Sequence, residues 1–132
     1  MKDRYATVFF LVAGFVFAAT GFTFVVAPGL VPAILDRPGA TADAINDARA
    51  VYGAIELALG LFLASCAREP RDYAAGYRAA ILVGGLAAIS RFVGFVFVEG
   101  TPVAHVAYGA LDFVGAFAAF HGMRRAGRNQ LP

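Results

Sequence analysis

A run of 22 consecutive uncharged residues, Ala6 to Ala27, constrains this chain more than any other feature. At the helical rise of 1.5 Å per residue, such a run crosses a hydrocarbon core of about 30 Å. It is longer than the apolar core of a secretory signal, so we interpret it as a retained spanning helix. Pro28 and Gly29 follow directly, and this pair ends a helix.

Three more apolar segments follow, and the predicted spans are residues 6–27, 48–67, 74–98 and 103–120, with an outer loop at 28–47. The chain is 60% hydrophobic and only 15% charged, with a mean hydropathy of +0.69. A chain of 132 residues cannot bury that much apolar surface in a core of its own. At the edge of an open β-sheet in lipid, backbone N–H and C=O groups would have no hydrogen-bond partners, so the spans are predicted to be helices. The expected fold is all-α, a single polytopic four-helix transmembrane bundle.

The basic residues indicate an orientation. One set of ends and connections holds most of them: Lys2, Arg4, Arg68, Arg71, Arg78, Arg124, Arg125 and Arg128. The opposite side holds Arg37 and Arg49, so the positive-inside rule predicts that both termini are cytoplasmic. In the outer loop, the apolar stretch from Leu30 to Leu35 is expected to rest on the membrane surface, and Thr41 to cap the following helix.

Several classes of function find no support in the sequence. Cys66 is the single cysteine and cannot form an internal disulfide, and one cysteine with two histidines falls short of a zinc pattern. His105 and His121 lie about 24 Å apart along one helix, too far to ligate one haem iron. The sequence contains no basic patch with interleaved aromatic residues, so it gives no indication of nucleic-acid binding. Enzymatic motifs are missing, so we expect no catalytic residue, no metal and no cofactor, and lean against an enzyme.

Residues 49–57 and 105–113 share one pattern: basic, two residues of any type, Tyr-Gly-Ala, apolar, acidic, apolar. Both segments belong to predicted spans that run from outside to inside. The match suggests two duplicated helical hairpins related by an axis along the membrane normal. A chance or convergent pattern is the alternative, because the first and third spans show no comparable match.

Three charged residues, Glu56, Arg91 and Asp112, fall inside predicted spans. Charges inside spanning helices are costly and normally face the bundle. Counted from the outer ends of their helices, the three lie roughly 11 to 15 Å deep and share one layer. Arg91 is therefore predicted to bridge the two carboxylates.

Helical spacing places further polar residues on the same faces as these charges, assuming α-helical turns throughout. The full candidate site for a ligand or a proton is Glu56, Arg91, Asp112, Arg49, Tyr52, His105 and Tyr108. If Arg49 reaches the outer water, the triad has a net charge near minus one and favours a proton or a cation. His105 would then pass protons outward. Small residues accompany these polar groups and predict a packing seam: Gly53, Gly60, Gly84, Gly94, Gly109 and Gly115.

Two functional hypotheses stay open. One is a small binding or transport module for a small polar or amphipathic ligand, or for protons. The other is a structural or accessory subunit of a membrane complex, whose buried salt bridges only fix helix packing. Four helices make a small transport pathway, so we expect a homo-oligomer or a membrane-protein partner within the lipid bilayer.

The segment 46–62 and the third-span segment 90–95 resemble the hallmark segments of a family of small bacterial four-helix membrane proteins, catalogued as domain-of-unknown-function family 4345. This chain departs mildly from the family pattern: Ala54 and Ser90 replace glycines, and Asp112 stands where Glu is frequent. The resemblance implies four spans in a bacterial inner membrane and supports the importance of Arg49, Glu56 and Arg91. It implies no reaction.

Overall fold

The computed structural model describes residues 3–28, 30, 41–97 and 103–128, apart from the side chains of residues 103–105 and 128. Four long helical segments account for nearly all of these residues. The first span is Arg4–Val26, the second Ala42–Cys66, the third Tyr73–Phe97 and the fourth Val103–Arg128. A short 3-10 turn, Pro70–Asp72, leads into the third span.

All four helices are long and apolar enough to cross a membrane. The prediction of an all-α, multi-pass membrane protein with four spanning helices is therefore confirmed. Each of the four helices carries exposed large apolar side chains, as expected for surfaces in contact with lipid.

Residues 42–47, in the last part of the predicted outer loop, are already helical, which agrees with the predicted helix cap at Thr41. Thr41 caps this helix as expected: the Ala44 N–H donates to Thr41 Oγ1 over 3.3 Å. The apolar stretch predicted to lie on the membrane surface falls largely on residues 31–40, which are outside the described residues.

The second span is not a uniform α-helix. Its turns are α-helical over Ala42–Ala48, π-helical over Arg49–Ala54 and α-helical again over Ile55–Cys66. In the π-helical part the hydrogen bonds skip one more residue, and the Ile55 N–H donates to the Ala50 carbonyl. The α-helical spacing assumed for Arg49 and Tyr52 is therefore wrong, and neither residue stands in simple α-helical register with Glu56.

The chain divides into two compact units. We call residues 10–65, which hold most of the first span and nearly all of the second, the first hairpin. The second hairpin is residues 66–132 together with residues 1–9, and it holds the third and fourth spans.

In the first hairpin, two helices run antiparallel with their backbones in close approach. A Cβ atom on Gly14 would lie 2.8 Å from the Ala64 nitrogen, and one on Gly21 would lie 2.7 Å from the Gly53 oxygen. A Cβ atom on Gly60 would likewise lie 2.7 Å from the Gly14 oxygen. Small residues allow this proximity in lipid, where van der Waals contact rather than the hydrophobic effect joins helices. Gly53 and Gly60 therefore lie on a packing seam, as predicted.

In the second hairpin, close contacts lie towards one end of the antiparallel helices. Tyr77 is fully buried, and a Cβ atom on Gly122 would lie 2.6 Å from its ring. Further along, a Cβ atom on Gly84 would lie 3.0 Å from the Asp112 carbonyl oxygen. Gly84 is thus on the seam as predicted.

The prediction is wrong for Gly115, where a Cβ atom would meet no described residue within 4 Å. A Cβ atom on Gly94 also meets none of the described residues, but the side chains of residues 103–105 on the fourth span lie outside them, so its place on the seam stays a prediction. Beyond Gly84, the predicted seam residue Gly109 meets the stem of Arg91, and the side chain of Arg91 bridges the two helices there.

The start of the first span belongs to the second hairpin and packs against the end of the fourth span. The Tyr5 hydroxyl donates to the Ala118 carbonyl over 3.0 Å, and its ring meets His121 edge-on at 5.9 Å. Asp3 lies 3.7 Å from the guanidinium of Arg125. These contacts fix the end of the hairpin that lies far from its charged pair.

Candidate functional site

The third and fourth spans are joined by an ion pair between Arg91 and Asp112. The Nε–H of Arg91 donates to Asp112 Oδ2 over 2.8 Å. The two side chains remain 35% and 22% exposed, so the pair is part-buried rather than enclosed. Although aspartate is the shorter acid, it reaches the arginine directly.

Neighbours on the fourth span hold the arginine in place. Tyr108 and Asp112 are separated by one helical turn and flank Gly109. The stem of Arg91 passes over this glycine, where a Cβ atom would lie 3.4 Å from Arg91 Cβ. The guanidinium carbon lies 5.5 Å from the centre of the Tyr108 ring, within the range of a cation–π contact. Three residues of the repeat, Tyr108, Gly109 and Asp112, thus shape one arginine site.

Beside this pair, an open-sided groove of about 660 Å³ runs between the third and fourth spans. Its volume lies within the range of small-molecule sites. Five phenylalanines line it: Phe92, Phe95, Phe113, Phe117 and Phe120. Gly85, Ala88 and Ala116 provide lining positions with little side-chain bulk. Among the described residues that line the groove, Arg91 is the one that carries a charge.

Three of the other candidate residues belong to the first hairpin. The Tyr52 ring meets Phe24 edge-on at 6.0 Å, and Tyr52 is 47% exposed. Arg49, at the start of the π-helical part, is exposed, whereas Glu56 is half-buried in the α-helix that follows. The structure thus brings Arg91, Asp112 and Tyr108 together within the second hairpin, and holds Tyr52 against the first span.

The backbone of His105 is helical, but its side chain lies outside the described residues. The proton relay assigned to it stays a prediction. Across the part of the chain that the structure describes, no group of three or more His, Cys, Asp or Glu side chains is placed to hold a metal ion.

The groove was not predicted from the sequence, although a signal for it exists. On the fourth span, Phe113, Phe117 and Phe120 follow one another at intervals of four and three residues, which places them on one helical face. Gly109 and Ala116 lie close to the same face. Large and small residues side by side on a spanning helix leave a hollow, whereas a uniform face would not.

Chemically, the arrangement offers one end with a fixed charge and a long apolar flank. A guanidinium has five N–H donors, and Arg91 uses one of them on Asp112. The pair is formally neutral, so the site can bind a polar group without a large electrostatic imbalance. The flank suits an aliphatic or aromatic chain.

No curated protein and no solved structure matches this chain. A family model does match, over residues 5–123, and so covers all four spans. The matching family is described as a domain of unknown function, which leaves the role of the site open. The matched region includes Arg91, Gly109 and Asp112, and on this evidence the chain belongs to the family of the domain of unknown function DUF4345.

Proposed function

We propose that this protein is a membrane-embedded binding module for an amphipathic small molecule. The ligand lies in the groove between the third and fourth spans and places its polar end at the Arg91–Asp112 pair. The observation that carries the proposal is the position of a single charged pair at the edge of a long apolar groove. A binding site of this type combines an apolar lining with a few fixed polar groups.

The electrostatics of the pair support binding rather than a purely structural role. An arginine that only fixed helix packing would gain most from a fully enclosed, bidentate contact with its carboxylate. Here one guanidinium N–H bonds Asp112, and a third of the Arg91 side chain remains exposed. Charged residues inside spanning helices normally mark a functional site.

Native mass spectrometry of the full chain, gently extracted from its own membrane, tests the proposal. We expect a stoichiometric small molecule bound to the native chain. The variant Gly85→Phe places a ring in the groove and should abolish this adduct. Gly115→Phe is the matched control, because Gly115 is equally open but does not line the groove. An adduct retained in Gly85→Phe, or no adduct on the native chain, would count against the proposal.

A structural or accessory role is the second candidate, and the direct link that the ion pair makes between two spans favours it. Under this hypothesis, replacing Glu56, Arg91 and Asp112 together by apolar residues leaves folding and any protein partner unaffected. Co-purification of that variant with the partner of the native chain would support the role. Loss of the partner at unchanged stability would contradict it.

We also infer that both termini face the cytoplasm, because lysine and arginine are concentrated on the side of the chain ends. A reporter that is active only in the cytoplasm, fused after the last residue, tests this orientation. Activity of the fusion would support it, and an inactive but fully expressed fusion would reverse it.

A further inference from the structure

The Arg91 guanidinium has more hydrogen-bond donors than its protein neighbours accept. It carries five N–H groups, and among the described residues Asp112 Oδ2 is the one acceptor that it bonds. Tyr108 contributes the face of its ring, which attracts the positive charge through its quadrupole. The other four N–H groups bond none of the described residues.

The surroundings make these remaining donors costly to leave unbonded. The groove beside Arg91 is lined almost wholly by apolar side chains. Arg91 lies six residues before the last described residue of the third span, about 9 Å along the helix axis. A donor at that depth in a hydrocarbon environment loses free energy unless an acceptor is supplied. The ligand's polar end is the group placed to supply it.

The balance of donors and acceptors then selects the chemistry of that polar end. Asp112 already compensates the charge of Arg91, so a cationic head finds no unbalanced negative charge, and its N–H groups would add to the excess of donors. Resting on the function proposed above, we propose that the ligand is an amphiphile whose head presents acceptor oxygens and no donor. A carboxylate and an ester carbonyl both meet this description.

The groove also sets the direction of the apolar chain. Arg91 lies over Gly109, and the groove continues along the fourth span to Phe120, eleven residues further. That separation corresponds to about 16 Å of helix. A single extended chain with its head at Arg91 therefore runs past Phe113 and Phe117 towards Phe120.

Three probes with the same hydrocarbon chain test the head group: palmitic acid, methyl palmitate and hexadecylamine. Each is added to the delipidated full-length protein in detergent, and binding is measured by native mass spectrometry. We expect the acid and the ester to bind at least about tenfold more tightly than the amine, the effect of one hydrogen bond to a charged donor. If palmitic acid binds more tightly than methyl palmitate, the natural head is a carboxylate. If the two bind equally tightly, it is a neutral carbonyl.

A double variant tests whether Arg91 causes this preference. Arg91→Met with Asp112→Leu removes both charges and leaves no unpaired one, which protects the fold. All three probes should still enter its groove, and the preference for acceptor heads should be lost. A preference that persists in the double variant contradicts the assignment to Arg91.

The outcomes separate this inference from the function on which it rests. Equal binding of the three probes that disappears in Gly85→Phe would overturn the head-group assignment and leave the binding module intact. The same holds if the amine binds best. If no probe binds, or if all bind as well to Gly85→Phe as to Gly115→Phe, both proposals are wrong.

Discussion

The two hairpins of this protein hold their helices together by different means. In the first hairpin, glycines at positions 14, 21, 53 and 60 bring the two backbones into direct contact. In the second, Gly84 closely approaches the backbone of the partner helix and Gly122 the ring of Tyr77, and beyond Gly84 the side chain of Arg91 bridges the helices. Backbone contact leaves no room between helices, whereas side-chain contact leaves a groove beside it. The chain thus combines one pair of closely packed helices with a second pair that leaves an open groove.

The repeated Tyr-Gly-Ala segment shows the same difference between the two hairpins at individual residues. Gly53 makes room for Val25 of the first span, and Gly109 makes room for the stem of Arg91. Tyr52 meets the ring of Phe24, and Tyr108 meets the guanidinium of Arg91. In both hairpins the tyrosine and glycine contact the preceding span, but the residue received is apolar in one and charged in the other. A short motif can thus serve packing in one hairpin and a candidate site in the other.

The largest expected effect concerns the glycines of the first hairpin. Gly60→Ala places a Cβ atom against the backbone of Ala18, which cannot move aside. We expect the free energy of unfolding to fall by about 3 kcal/mol, the upper range for overpacking. Gly115→Ala is the control and should be neutral or stabilising by up to about 1 kcal/mol, because helix propensity favours alanine. Unfolding in mixed detergent measures both, and equal losses would remove the distinction between the hairpins.

The ion pair of the second hairpin should give the next largest effect. Arg91→Met leaves Asp112 without its partner, and a free energy loss of about 2 kcal/mol follows, below the range for a fully buried pair because both side chains are partly exposed. Adding Asp112→Leu should restore most of that stability. The same unfolding assay checks the cycle. A double variant no more stable than the single one would show that the charges act independently.

The two glycines of the repeat provide a direct comparison. A Cβ atom on Gly53 would lie 2.8 Å from Val25 Cγ2, whereas one on Gly109 would lie 3.4 Å from Arg91 Cβ. Gly53→Ala should therefore cost about 1 kcal/mol more than Gly109→Ala. Thermal unfolding of the two variants in one detergent gives the difference. The reverse order would mean that the backbone yields more easily around Gly53.

The smallest effect is expected at Tyr108. Tyr108→Leu keeps an apolar contact but removes the aromatic face under Arg91, with an expected loss of about 0.5 kcal/mol, as for an exposed cation–π contact. Tyr52→Leu is the matched change in the first hairpin. Combining each with Arg91→Met shows whether the arginine is involved. Coupling between Tyr108 and Arg91 is expected, and its absence would reduce their contact to simple proximity.

The four spans and one of the two predicted partners of Arg91, Asp112, were accessible from the sequence, and the physical reason is simple. Long apolar runs have few alternatives in lipid, and a charge inside such a run requires a counter-charge at similar depth. The predicted contact of Arg91 with Glu56 stays a prediction. The packing seam was predicted well where glycine meets backbone, as at Gly53, Gly60 and Gly84. It failed at Gly115, because spacing alone does not distinguish a small residue that packs from one that is merely small.

Two features of the structure could not be derived by such rules. The close approach at Gly14 and Gly21 depends on the partner helix, because helix contact involves two surfaces and the first span alone shows only scattered small residues. The π-helical turns of the second span also escaped prediction. The hydropathy of an apolar segment is the same whether its helical turns are α-helical or π-helical, so hydropathy cannot predict a π-helical turn.

Those π-helical turns let the second span hold one more residue without turning its polar end. A π-helical turn takes up about one residue more than an α-helical turn, so a chain that loses one residue between Arg49 and Ala54 can close as an ordinary α-helix. Asp43, Asn46 and Asp47 would keep nearly the same direction relative to Glu56. In a segment that is already α-helical, the loss of one residue would instead turn the residues before it by about 100°.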